Sequence, residues 1–495
     1  MTETREDLQK KAAAILDGLG GKELKPKERM AIPLQEMPAQ DPTERIKNMG
    51  EVAEGYTAQQ AQLEAMRCLQ CKTEPCVKGC PVSIDIGGFI KAAAEGDFDK
   101  SIDVIKQASL LPAICGRVCP QENQCQATCT VGRSLKDVGK AVSVGRIERF
   151  VADYQRAKGT TSVPTIAKAT GKKVAVIGSG PAGITVAADL RRVGHDVVIF
   201  EAFHKTGGVM VYGIPEFRLP KKIVEEEIDA LKTMGVEVKT NFLVGRTRQL
   251  KDLLEKDGFD AAFIGSGAGL PRFMRIEGEN LVGVFSANEY LTRSNLMKAY
   301  DTDNAATPIF RSKKVAVLGG GNVAMDSART ALRLGAEEVY LIYRRTEVEM
   351  PARVEEVEHA KEEGVIFQLL RNPSRILGGE DGRVRGIELL EYELGEPDDS
   401  GRRRPVPIDG SEHEIELDTV VVAIGNDSNP LLTASTPEIE TNKWGNIVTD
   451  EGGKTSMDKV YAGGDIVLGA ATVILAMGEG RKAAASINAL LANGS

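Results

Sequence analysis

Past Cys129 the chain contains no cysteine; all eight lie between Cys68 and Cys129 in a sequence of 495 residues. The long remainder therefore carries no redox-active dithiol, and any electron path that needs one there is excluded. Histidine is scarce as well. The four present (His195, His204, His359, His413) stand in no motif and read as structural or surface residues. No apolar run is long enough to span a bilayer and no secretory leader is visible, so the expectation is a cytoplasmic protein with no membrane partner. A formal net charge of −8 supplies no general basic face for a phosphate backbone, which argues against nucleic acid as a partner. Length alone suggests about three domains.

What the sequence does contain is a dinucleotide-binding pattern, written twice. Val174 to Ile177 reads as a buried parallel strand that breaks into Gly178-x-Gly180-x-x-Gly183, with Pro181 and Ala182 inside the turn, before an amphipathic helix. The first glycine permits the turn, the second lets a pyrophosphate approach, and the third lets helix and strand pack closely. The helix N-terminus offers unpaired N–H groups to the phosphates. Glu201 closes the next strand, where a carboxylate accepts from adenosine ribose hydroxyls. Beyond it, Gly207 and Gly208 allow close backbone approach, and Tyr212, Phe217 and Arg218 could border a ring system. Near the C-terminus Gly464-Asp465 follows another short strand, with a helix opening around Ala471-Thr472-Val473. Asp465 suits the ribityl or pyrophosphate region of an FAD, and the helix N-terminus suits the pyrimidine side of its ring.

The second copy runs from Lys313 to Arg345. Gly319, Gly321, Asn322 and Val323 repeat the turn, and Ala324 replaces the third glycine. The acidic position falls on Tyr343, followed by Arg344 and Arg345. Losing a carboxylate and gaining guanidinium groups favours a 2′-phosphate, hence NADP(H). Arg353 is a further candidate phosphate contact. Phe263–Gly269 and Val420–Gly425 are strand-to-glycine exits, read as the chain leaving one nucleotide domain and later returning to it; Gly425 is counted with the cofactor site. A strand-rich section follows from about Ile366 to Asp418, with a solvent-exposed loop expected at Glu396–Arg404.

The cysteines fall in two runs, Cys68-x2-Cys71-x4-Cys76-x3-Cys80-Pro81 and Cys115-x3-Cys119-Pro120-x4-Cys125-x3-Cys129. Two sets of four thiolates suit iron–sulfur clusters or zinc, while disulfides are disfavoured without a secretory signal. A flavin with no dithiol needs a one-electron conductor, which favours two [4Fe-4S] clusters. Counting alone makes Cys115 a ligand like the other seven.

The segments CLQCKTEPCVKGCPVSIDI, LPAICGRVCPQENQCQATCT and VGRIERF resemble the N-terminal helical iron–sulfur domain of the glutamate synthase small-subunit family. Dihydropyrimidine dehydrogenase and the large subunit of reduced ferredoxin:NADP oxidoreductase share that domain, and the family's motifs cover essentially residues 60 to 490. The resemblance implies one cluster on Cys68, Cys71, Cys76 and Cys129, and a second on Cys80, Cys119, Cys125 and Glu148, with Cys115 unligated. The implied architecture is α/β: a helical iron–sulfur domain (1–160), then two Rossmann-like domains, the second inserted in the first (FAD, 170–285 and 420–495; NADP(H), 286–419). The implied activity is an NADPH-dependent oxidoreductase subunit moving electrons between NADP(H), FAD and two clusters to a partner subunit. Hydride delivery needs no protein acid or base, because the cofactor carries that chemistry. The partner implied is the glutamate synthase large subunit, which holds the glutaminase and the FMN barrel that this chain lacks. The alternative is the large subunit of an electron-bifurcating ferredoxin:NADP oxidoreductase, partnered by a small flavoprotein and by ferredoxin. A non-catalytic scaffold is a third reading, opposed by the intact Glu201, Asp465 and arginine pair.

Overall fold

The computed structural model describes residues 3–159, 164–307, 309–398 and 401–493. Lys158–Lys173, rich in Gly, Ser, Thr and Lys with one Pro, reads from its composition as a linker, and its residues 160–163 lie outside that set.

Local capping chemistry sets the N-terminal helices. Thr4 with Asp7, and Thr57 with Gln60, form reciprocal capping boxes ahead of Arg5–Leu19 and Ala58–Met66; Asp85 and Asp97 cap Ile86–Ala94 and Phe98–Ala108. Helices Pro112–Val118 and Val144–Ala157 complete the domain, burying Ile114, Ile147 and Val151 inward. These two cross at Gly116, where a Cβ would stand 2.5 Å from the Arg149 backbone nitrogen. Only glycine permits that approach, and it brings the helix carrying Cys115 against the helix carrying Glu148.

Two five-stranded parallel sheets follow. The first runs Val460–Ala462, Ala261–Ile264, Lys173–Ile177, Asp196–Phe200, Glu237–Lys239. The second runs Val284–Ser286, Thr419–Val422, Lys314–Leu318, Glu338–Tyr343, Ile366–Leu369. Four strands of each sheet share one order, while the edge strand is the last of its sheet along the chain in the first (Val460–Ala462) and the first along the chain in the second (Val284–Ser286); the sequence repeat is therefore one of architecture over those four strands. Their central strands are near-continuous Val, Ile, Ala and Leu, as strands covered on both faces require.

The strands move both expected domain boundaries. Val284–Ser286 and Thr419–Val422 are hydrogen-bonded neighbours in the second sheet, whereas limits at 285 and 420 would give parts of both to the first. Phe263–Gly269 leaves the first sheet and Val420–Gly425 leaves the second; the return to the first sheet is made only by Val460–Ala462, which pairs with Ala261–Ile264. The crossings then pair with each other as Leu270–Pro271 against Asn426–Asp427. Hydrophobicity marked both exits as strands but carried no information about which sheet each would join. The section after Leu369 forms an antiparallel sheet (Arg371–Gly378, Val384–Pro397, Arg403–Pro407, His413–Glu416) whose Ile376, Ile387 and Leu389 pack against Ala316, Leu318 and Val420. The closing helix, Val473–Asn493, lies along Pro181–Arg192. Among the described residues no helix is long and apolar enough to cross a membrane.

Candidate functional site

Cys68, Cys71, Cys76 and Cys129 line one pocket with Ile86, Ile90 and Val131. The two runs thus meet at a single place, although Cys129 is far from the others in sequence. Four thiols lining one cavity are the donor set that an iron–sulfur cluster takes. Burial pushes the Cys76 thiol up to about 12 and raises Cys68 as well. Those thiols stay protonated until a metal's positive charge reverses the balance. Gln70 (φ 51°) and Glu74 (φ 43°) hold left-handed backbone at the pocket mouth, a conformation uncommon outside glycine.

Cys80, Cys119, Cys125 and Glu148 form a second set within one another's electrostatic reach. Glu148 is only 6% exposed, and its Oε1 accepts no hydrogen bond. Burial, then the neighbouring Cys119, raise its carboxyl well above the usual range. A buried carboxylate oxygen with nothing to accept from is a group that a metal would satisfy. Cys115 lies within the same reach, hydrogen-bonded to Cys119 and near Glu148, and its Sγ also lies 3.7 Å from the Met477 thioether. Its sulfur thus has partners on two sides, whereas among the described residues the Glu148 Oε1 has none. Sequence reasoning missed Glu227, whose Oε1 accepts from the Ala113 N–H at 2.9 Å and steadies the start of the helix bearing Cys115; burial pushes its carboxyl up to about 8.

The first glycine turn fits a dinucleotide. A Cβ at Gly178 would stand 2.4 Å from the Gly265 carbonyl and one at Gly183 2.0 Å from the Gly178 carbonyl, yet at Gly180 it would meet no protein atom. The turn is closed on the protein side and open where phosphates would lie. Pro181 and Ala182 begin the helix, and Glu201, buried, accepts from the Ser179 N–H and hydroxyl (2.9 and 2.5 Å) and from the Phe203 N–H (2.8 Å). The Ser179 hydroxyl in turn accepts from the Gly207 N–H at 3.0 Å, which ties the Gly207-Gly208 loop to the turn. Asp465, pushed up to about 6 by burial, accepts from the Ala471 N–H, and Tyr212 neighbours both Asp465 and Glu201. Thr472 caps the closing helix by accepting from the Leu475 N–H at 3.3 Å. The same helix reaches the cysteine domain. Met477 touches Cys115, a Cβ on Gly478 would stand 3.0 Å from the Pro81 carbonyl, and Arg481 donates to the Val82 carbonyl and to Asp189.

At the second turn, Gly319 is left-handed (φ 140°) and Gly321 opens the helix, with Asn322 accepting from the Arg353 N–H and Val323 half-exposed. Tyr343 lies flat on Gly320, where a Cβ would fall 2.8 Å from its ring, and its hydroxyl donates to the Glu349 carbonyl. Arg344 is exposed, with no hydrogen bond or ion pair among the described residues.

Three arginine expectations need correction. Arg345 is buried and spent on Asp398 (2.7 Å) and the Arg403 carbonyl, which reach it from the Glu396–Arg404 hairpin, a segment whose described residues are mostly exposed, as expected. Residues 399–400 of that loop lie outside the described set. Arg218 does not border the flavin turn: it clamps Asp326 through two 2.8 Å bonds and meets Glu356 at 3.0 Å, both in the second nucleotide domain. Arg353 faces the cysteine domain, donating to the Arg117 carbonyl and Glu355 from the wall of an interdomain cavity of about 290 Å³. In all three cases a carboxylate or carbonyl from a distant segment has claimed the guanidinium.

Comparison with known proteins finds two families along the chain. Residues 45–160 match dihydropyrimidine dehydrogenase domain II, 4Fe-4S cluster, and residues 172–480 match pyridine nucleotide-disulphide oxidoreductase. The glutamate synthase [NADPH] small chain of Escherichia coli is 39% identical over 443 residues, covering 88% of this chain and 93% of the relative. The NADP(+)-dependent formate dehydrogenase subunit beta of Moorella thermoacetica is 40% identical over 446 residues, 85% of this chain, which spans 60% of that longer subunit. Among solved structures, Mycobacterium tuberculosis FprA in complex with NADPH overlays with TM-score 0.55 at 20% identity, covering 65% of this chain and 85% of that one, a likeness of fold.

Proposed function

The chain belongs to the pyridine nucleotide-disulphide oxidoreductase family, with a 4Fe-4S domain ahead of it, and on that premise we propose that it is the NADPH-oxidising, electron-entry subunit of a multi-subunit oxidoreductase of the glutamate synthase small-chain type. Bound to this chain, NADP(H) and FAD would supply hydride transfer and the [4Fe-4S] clusters one-electron conduction. The chain's own residues do the rest. Gly178–Gly183, Glu201 and Asp465 hold the flavin nucleotide; Gly319–Val323 and Arg344 hold NADP(H). Two cysteine sets, the second completed by Glu148, hold two clusters. The observation that carries this reading is the closing helix, which touches the flavin-turn helix on one side and Pro81, Val82 and Cys115 on the other. It joins the two halves of a chain whose nucleotide domains contain no cysteine to accept electrons.

The partner is proposed to be a glutamate synthase large subunit. Copurification and anaerobic NADPH oxidation test this: turnover driven by glutamine plus 2-oxoglutarate supports it, turnover with ferredoxin plus NAD assigns the bifurcating alternative, and a colourless preparation that takes up neither flavin nor iron overturns both. Cofactor choice has its own test. Arg344→Ala removes one charge-assisted contact to a 2′-phosphate, about 1.5–3 kcal/mol, so the KM for NADPH is expected to rise roughly ten- to a hundredfold with NADH kinetics unchanged. Equal losses with both cofactors would remove Arg344 from the phosphate site.

A further inference from the structure

The wall of the first cysteine pocket continues onto the surface. Helix Thr130–Leu135 starts at the pocket lining, every residue from Arg133 to Lys140 is exposed, and the chain rejoins the lining at Val142. The ridge carries Arg133, Lys136 and Lys140 against one acid, Asp137, which stands 3.5 Å from Lys140. Between them Leu135 and Val138 are 38% and 43% exposed. Lys72, next to the pocket residue Cys71, is exposed too.

An apolar centre with a basic rim reverses the sign of a chain whose net charge is −8. The field of the whole molecule repels an anionic protein, and the ridge gives such a protein one orientation in which it is attracted. In that orientation it lies against the pocket formed by Cys68, Cys71, Cys76 and Cys129. Resting on the reading of that pocket as a cluster site, we propose that the Arg133–Lys140 ridge with Lys72 is the docking surface for the acidic face of a protein carrying a one-electron centre. Electron-transfer encounters sit at the low end of interface size and respond strongly to ionic strength, as a short ridge with a basic rim would. Each encounter moves one electron. Two oxidised partners, each gaining one electron, balance one NADPH converted to NADP+ with release of one proton to water.

The test uses the full holoprotein with a small acidic ferredoxin as probe and basic cytochrome c as counter-probe. Wild type is expected to bind the ferredoxin with an affinity that falls steeply as salt is raised. The triple variant Arg133→Glu, Lys136→Glu, Lys140→Glu is expected to bind it at least about tenfold more weakly, to lose the salt dependence, and to reduce cytochrome c faster than wild type. Cluster EPR signals and NADPH-driven ferricyanide reduction should stay at wild-type levels, which separates failed docking from a failed cluster assignment. If the triple variant loses those signals, Lys136→Glu alone decides. Ferredoxin affinity equal to wild type in the deciding variant, or no binding by wild type at low salt, overturns the docking surface.

Discussion

Replacing Glu148 by Ala is expected to remove about half of the iron and acid-labile sulfide from anaerobically purified protein, while Cys115→Ser keeps the full complement. Counting cysteines gives the opposite result, since it makes Cys115 the eighth ligand. The physical case rests on unmet valence: Glu148 has a buried oxygen that accepts nothing, whereas the Cys115 sulfur already lies against Met477. Cys80, Cys119 and Cys125 would remain in the variant, but three thiolates leave one corner of a cluster to water or to nothing. Glu148→Gln keeps an oxygen at the same reach and should keep the metal. The flavin turn lies in another domain, so flavin content and NADPH-driven ferricyanide reduction should hold in all three variants. Full iron in the Ala variant with half in the Ser variant would transfer the ligand role to Cys115, and zinc in place of iron would end the electron-conducting account.

How much of this was legible beforehand divides along the range of the interactions. The paired glycine turns, the strands that feed them and the capped helices are local patterns, and they emerged where the residues placed them. Glu148 was reachable only through family resemblance; on its own it reads as one more carboxylate on an amphipathic helix. The arginines failed for a different reason. Arg345 sits beside the phosphate position in sequence, but its partner Asp398 arrives on a hairpin that no periodicity ties to it. Arg45, in a segment to which sequence reasoning gave no chemistry, is buried against Glu363 at 2.7 Å, more than three hundred residues away. Guanidinium groups have long reach and several donors, so their targets are set by tertiary contacts and not by neighbours in the chain.

The buried ion network around Arg218 carries the largest expected effect on stability. Arg218 enters from the flavin-domain loop and meets Asp326 and Glu356, Arg329 binds Glu356 and Glu363, and Arg45 closes the network from the N-terminal arm. Three parts of the molecule are fastened there, with Phe217 packed under the Arg329 and Arg333 guanidiniums. Arg218→Met is expected to cost about 3–5 kcal/mol, because it strands buried carboxylates without their counter-charge. The pH dependence is specific. Burial raises Asp326 from 3.8 to about 6 despite Arg218, so the folded state holds a proton the unfolded chain has lost, and this group's contribution falls as pH rises through that window. Glu356 has the opposite sign. Burial works against its charge, but Arg218 and Arg329 hold it down at about 2, so it adds stability above 4.5 that is lost as pH falls towards 2. Without Arg218 both carboxyls move upward: the decline from Asp326 extends past pH 6 and the gain from Glu356 shrinks. The deficit of the variant relative to wild type should therefore be larger at pH 8 than at pH 5, read as urea midpoints together with faster amide exchange in the Ile214–Lys221 loop. Adding Asp326→Asn to Arg218→Met should recover part of the loss, since the stranded charge goes with it. A deficit identical at both pH values, with no recovery in the double variant, would mean that Arg218 is held by packing alone and that the two nucleotide domains are joined elsewhere.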